Sequence, residues 1–102
     1  MVRVVYRWRV APEHYDAFLA TWRATTNRIH DTVPGALGSF MMRSSADGCD
    51  VLTIARWTSR EAWERFWGDE RPPQMQRMGA LAHRVSVEVF EEIEDHTRSP
   101  SM

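Results

Sequence analysis

Charged and apolar positions alternate from the start of the chain. Within 2–10, Val4, Tyr6, Trp8 and Val10 fall on one side and Arg3, Val5, Arg7 and Arg9 on the other. That period of two marks a strand with one covered face. Pro12 then sits where a first helical turn tolerates it, followed by Glu13 and Asp16, which suit a helix N-terminus. Tyr15, Phe18, Leu19, Trp22, Thr26 and Ile29 share one helical stripe, with Arg23 and Arg28 on or near the other side. The helix is expected to end near Asp31, ahead of the stop signal Val33-Pro34-Gly35.

Residues 36–44 and 49–57 read as two strands joined at the tight-turn signal Asp47-Gly48, hence a hairpin. Thr58-Ser59-Arg60-Glu61 fits a capping box with Thr58 as the cap and Glu61 reaching back. The helix it opens carries Ala62, Trp63, Phe66 and Trp67. A break over 68–73 follows, then a short helix from Pro73 bearing Met75, Met78, Leu81 and Ala82. Residues 85–90 form a fourth strand with Val85, Val87 and Val89 on one face. Glu91, Glu92, Glu94 and Asp95 read as a solvated strand end.

The order β-α-β-β-α-β is the ferredoxin-like split βαβ arrangement: an α+β fold with a four-stranded antiparallel sheet and helices on one face. Helices on one face leave the other open. A strand with one wet face should alternate, yet Val51-Leu52-Thr53-Ile54-Ala55 is apolar on both sides apart from Thr53, and Phe40-Met41-Met42 are consecutive. Packing the open face on a second copy about a two-fold axis supplies the cover, so a homodimer through sheet faces is expected. The plain alternative is a monomer with an unusually apolar sheet.

A chain of 102 residues holds one domain. The expected domain covers 1–96, with a flexible tail over 97–102. Net charge is −1, which points to neither nucleic acid nor an anionic membrane surface. All thirteen Lys+Arg are Arg, a bias that a GC-rich coding sequence explains. The single Cys49 excludes an internal disulfide and suits a reducing cytoplasm. The first ten residues are too charged for a signal peptide or a membrane span.

Candidate chemistry is sparse. His14, His30, His83 and His96 show no ligand spacing, so no metal is expected. His30 lies near a helix C-terminus, where a protonated imidazole interacts favourably with the dipole. Cys49 lies beside Asp50, which disfavours a thiolate. No phosphate-binding glycine loop and no nucleophile elbow are present. The informative feature is aromatic. Tyr6 and Trp8 on the first strand, and Trp63, Phe66 and Trp67 at helical spacing, form a candidate lining for a flat pocket, with Met75 and Met78 capping it. Phe40 is counted with this lining, and Trp22 is assigned to the core. The bland alternative is that the whole set is core.

The strand YRWRV, a Pro-led helix, VPGALGS and the run ARWTSREAWERFW together resemble the antibiotic biosynthesis monooxygenase domain family among the dimeric α+β barrels. The likeness spans about residues 2–90, and its best local mark is Trp-x-Ser-x-Glu-Ala from Trp57 to Ala62. The resemblance implies a ligand site between helices and sheet in each subunit. It also implies oxidation of a planar phenolic or quinol-type aromatic by O₂ without metal, haem or flavin, so no cofactor is expected. It further implies that Tyr6 hydrogen-bonds a phenolic oxygen, Trp67 orients the ring and Arg77 stabilises the anion. The family is mixed, and a non-catalytic ligand-binding barrel and a haem-binding one (with an axial ligand such as His83) stay open. Against the haem-degrading branch, Tyr6 stands where that branch has Asn and Gln76 near its His. Members of the quinol-oxidising branch often carry a His in the second helix, where this chain has Phe66-Trp67.

Overall fold

A computed structural model describes residues 1–69 and 73–100. Strand β1 (Val2–Arg9) leads through a 3-10 turn (Pro12–His14) into helix α1 (Tyr15–Thr32). Strands β2 (Ala36–Arg43) and β3 (Asp50–Trp57) form the hairpin. Helices α2 (Arg60–Asp69) and α3 (Pro73–Leu81) precede the last strand, β4 (His83–Glu91). The expected break between the second and third helices falls mostly on 70–72, outside the described residues. The sheet order is β2-β3-β1-β4 and every pairing is antiparallel. This is the ferredoxin-like α+β fold read from the sequence. No described helix is long and apolar enough to cross a membrane.

The period-two pattern of β1 decides its two faces. Val2, Val4, Tyr6, Trp8 and Val10 are buried, facing Phe18 of α1, Ala62 and Trp63 of α2, and Met78 of α3. Thr53 of β3 is also buried on this side, its hydroxyl accepting the Trp8 indole N–H at 3.1 Å. On the other face Phe40 opposes Ile54, which opposes Val5, and Met42 opposes Leu52. Phe40 and Met42 are 43% and 44% exposed, so an apolar band crosses three strands uncovered.

Gly35 is required where β2 leaves α1. Its φ is +88°, and a Cβ there would lie 2.7 Å from the Ala62 Cβ and 2.8 Å from the Thr58 hydroxyl. The bare Gly35 backbone therefore lets the start of β2 meet the start of α2, with the Thr58 N–H on the Gly35 carbonyl at 2.9 Å.

Three expectations need correction. The cap of α2 is Ser59, not Thr58: the Ser59 hydroxyl accepts the Ala62 N–H at 3.1 Å. Thr58 is held by Gly35 and cannot open the helix, so the cap moves one residue on and Glu61 loses the position from which it would reach back. In β4 the valines do not share one face. The pairing with β1 shifts between Arg7 and Trp8, leaving Val85 out of register and exposed. The extra residue turns Arg84 to the side of Trp8, while Val87 and Val89 oppose Tyr6 and Val4. The acidic end is not simply solvated. Glu92 accepts from Arg3 Nε at 3.2 Å and from Arg56 Nη2 at 2.8 Å, and its side chain is 13% exposed. Asp95 adds a bond from Arg3 Nη2 at 3.0 Å, so the segment after β4 is clasped to β1 and β3.

Candidate functional site

Between α1 and the β2–β3 half of the sheet lies a narrow cleft of about 50 Å³. Trp22 and Ile29 of α1 form one wall, and Ala36, Ala55 and Trp57 the facing one. Phe66, Met75 and Met78 close one end. Tyr6, Thr25, Thr26, Ser39, Thr53 and His30 are polar residues of this otherwise largely apolar lining. A mostly apolar lining with a few polar groups is the general character of a small-molecule site.

Tyr6 is the polar centre of the site. It stands mid-strand on the covered face of β1, and its oxygen accepts the Trp63 indole N–H at 3.0 Å. Burial pushes the Tyr6 hydroxyl up to about 12, only partly opposed by that hydrogen bond and by the positive charge of Arg84. Tyr6 is therefore a neutral donor near pH 7 and cannot serve as a base there. No hydrogen bond from the Tyr6 hydroxyl to another described residue is present.

Behind Tyr6 stands an aromatic stack. Trp67 lies 5.8 Å from the Tyr6 ring and 5.9 Å from Trp63, with an interplanar angle of 19° to the latter. The Arg84 guanidinium sits 4.8 Å over the Trp67 ring, a cation–π contact. Arg84 reaches this place only because of the bulge in β4. It borders a second, broader depression with Trp8, Met75 and His83.

The structure thus sorts the residues singled out in the sequence. Tyr6, Phe66, Met75 and Met78 come together on the cleft. Trp63 and Trp67 back Tyr6 without bordering the cleft. Trp8 is core, packed on Phe18 and bonded to Thr53. Phe40 does not join them, because its register with Ile54 puts it on the opposite face of the sheet. Arg77 is exposed on α3 and does not border the cleft; the arginine near Tyr6 is Arg84. Trp22, expected in the core, is half-buried and lines the cleft. Thr25, Thr26, Ser39 and Thr53 were missed. Polar Thr25 and Thr26 beside Trp22 and Ile29 on one helical face were the available signal. Among the described residues no three His, Cys, Asp or Glu side chains cluster as a metal site would need.

Residues 1–71 match the antibiotic biosynthesis monooxygenase family. The chain belongs to that family. No curated protein matches it. Among solved structures, SnoaB, a cofactor-independent oxygenase from Streptomyces nogalater, superposes with a TM-score of 0.70 at 21% identity, over 95% of this chain and 97% of that one. A Mycobacterium tuberculosis protein superposes with a TM-score of 0.68 at 21% identity, over 94% of this chain and 98% of that one. At this identity the likeness speaks for the fold alone. Family membership supports a monooxygenase-like function.

Proposed function

We propose that the chain oxidises a planar phenolic or quinol-type aromatic with O₂, one ligand per subunit, without a bound cofactor. The observation that carries this reading is that Tyr6, buried and kept neutral near pH 7, lines a cleft together with Trp22, Trp57 and Phe66. The aromatic walls take the ring faces, and the methionines adapt to the ring outline. Tyr6 donates to a ring oxygen, and Arg84 supplies positive potential as that oxygen becomes anionic. An electron-rich anion then reduces O₂ directly. For an anthrone the balance is a CH₂ group and O₂ giving a ketone and water. The cleft contributes orientation, a hydrogen bond to the anion and exclusion of water.

The uncovered band of Phe40, Ile54, Val5, Met42 and Leu52 is read as the seat of a second copy, giving a homodimer through sheet faces. Charges flank the band: Arg7 with Asp50, and Arg9 with Asp47. They leave it room for a self-complementary contact. Sedimentation equilibrium at micromolar concentration is expected to return twice the chain mass, and a monomer there overturns this part.

The activity is tested with 1,8-dihydroxyanthrone in air-saturated buffer. Oxygen uptake and quinone absorbance should rise together, saturably and well above the uncatalysed rate. Saturable quenching of Trp fluorescence without oxygen uptake would make the protein a binder and not an oxygenase. A rate equal to that of buffer, with no quenching, removes the reading altogether.

A further inference from the structure

Oxidation of this kind begins by removing a proton from the ligand, and Tyr6 is unsuited to accept it. The ionisable side chains among the described residues bordering the cleft are Tyr6, Arg56 and His30. Arg56 is a permanent cation engaged by Glu92 at 2.8 Å. Histidine is the side-chain type that exchanges protons near neutral pH.

We propose that His30 is the base that deprotonates the bound aromatic, an inference that rests on the oxygenase reading of the same cleft. Its position suits the task in three respects. His30 borders the cleft while its side chain stays 55% exposed, so it stands where the cleft meets solvent and can pass a proton on to water. It lies in the last turn of α1, where the carbonyl end of the helix stabilises the positive charge the ring acquires. The Asp31 carboxylate lies 3.9 Å from its Nδ1. Of the other ionisable residues of the cleft, Arg56 turns its guanidinium to Glu92, beside Arg3 on the uncovered face of the sheet, and Tyr6 lies on β1.

The step is a proton transfer. The O–H or benzylic C–H bond of the ligand breaks, and its electron pair stays on the ligand as phenolate or enolate. The proton forms a new N–H bond on the His30 imidazole and leaves later to water. Tyr6 holds the anionic oxygen at the far end. Base and hydrogen-bond donor are thus separate residues on opposite elements, so one site can ionise a ligand and still hold its anion.

Anaerobic titration separates this step from the oxidation. Full-length protein is mixed with 1,8-dihydroxyanthrone without O₂, reading Trp quenching for binding and the visible absorbance of the anion for ionisation. Wild type is expected to ionise the bound ligand at a pH at least one unit below that needed in buffer. His30→Gln should bind within about twofold but, mixed rapidly with the ligand at pH 7, should ionise it many-fold more slowly than wild type. It should also lose about 100-fold in aerobic rate at pH 7, in the range of general base catalysis, and the loss should shrink as pH rises. His30→Ala should regain rate with added imidazole. His30 is exposed, so both variants should keep the wild-type melting temperature. Ionisation by wild type without oxygen uptake would sink the oxygenase reading and leave the base in place. Ionisation and turnover unchanged in His30→Gln would overturn the base and leave the reading. Absence of binding by wild type overturns both.

Discussion

The Trp63 indole nitrogen lies 3.0 Å from the Tyr6 hydroxyl and donates to it. The two residues are 57 positions apart, one on β1 and one on α2. Their bond uses an acceptor site on the Tyr6 oxygen and leaves its proton without a described acceptor. A tyrosine of the core that also lines the cleft is thereby fixed by one hydrogen bond from the second helix.

Tyr6→Phe should lower the oxidation rate about 100-fold, the scale of losing one hydrogen-bond donor to a developing anion. It should also lower stability by about 1–3 kcal/mol, because the Trp63 N–H is left buried without a partner. Trp63→Phe in the same background should recover much of the stability and none of the rate. Oxygen-electrode rates and urea melts of the three proteins check this; recovery of rate in the double variant would count against a role for the hydroxyl.

Arg84→Met keeps an apolar cover on Trp67 and removes the charge near Tyr6. Since that charge opposes the upward push of burial on the Tyr6 hydroxyl, its pKa should rise further in the variant. The bound anion should lose affinity several-fold, while a neutral quinone should bind as before. Fluorescence titration with both ligands checks it, and Arg77→Met is the comparison expected to behave as wild type.

Gly35→Ala should be the more costly of two small changes near the cleft. The positive φ and the two contacts under 3 Å act together, and about 2 kcal/mol or more should be lost. Ser59→Ala removes only the cap of α2 and should cost about 1 kcal/mol. Equal losses in chemical denaturation would show that the Gly35 corner relaxes.

Glu92 anchors the segment after β4, and its pH dependence follows from its partners. The Arg56 hydrogen bond, with that of Arg3, holds the Glu92 carboxyl below its ordinary 4.5. A carboxyl with a depressed folded value stabilises the fold fully above 4.5, and that contribution disappears as pH falls through the lower value. The melting-temperature gap between wild type and Glu92→Gln should therefore be constant above about pH 5.5 and narrow below 4.5. A gap that does not change with pH would mean the clasp is steric only.

The element order, the covered face of β1 and the apolar band on the other face were legible in the chain, because each rests on a local period of 2 or 3.6. So were Tyr6, Phe66, Met75 and Met78 as neighbours of one space, since strand and helix faces that must meet are visible in one dimension. Only the tertiary structure decided which arginine stands near Tyr6. That depends on one unpaired residue in β4, and a single bulge reverses the facing of everything before it without altering the composition of the strand. It decided too that Thr25 and His30 border the cleft, and that Trp22, assigned to the core, borders it as well. Helical period says which residues face the sheet, whereas the gap left between them is set by how far apart the elements come to rest.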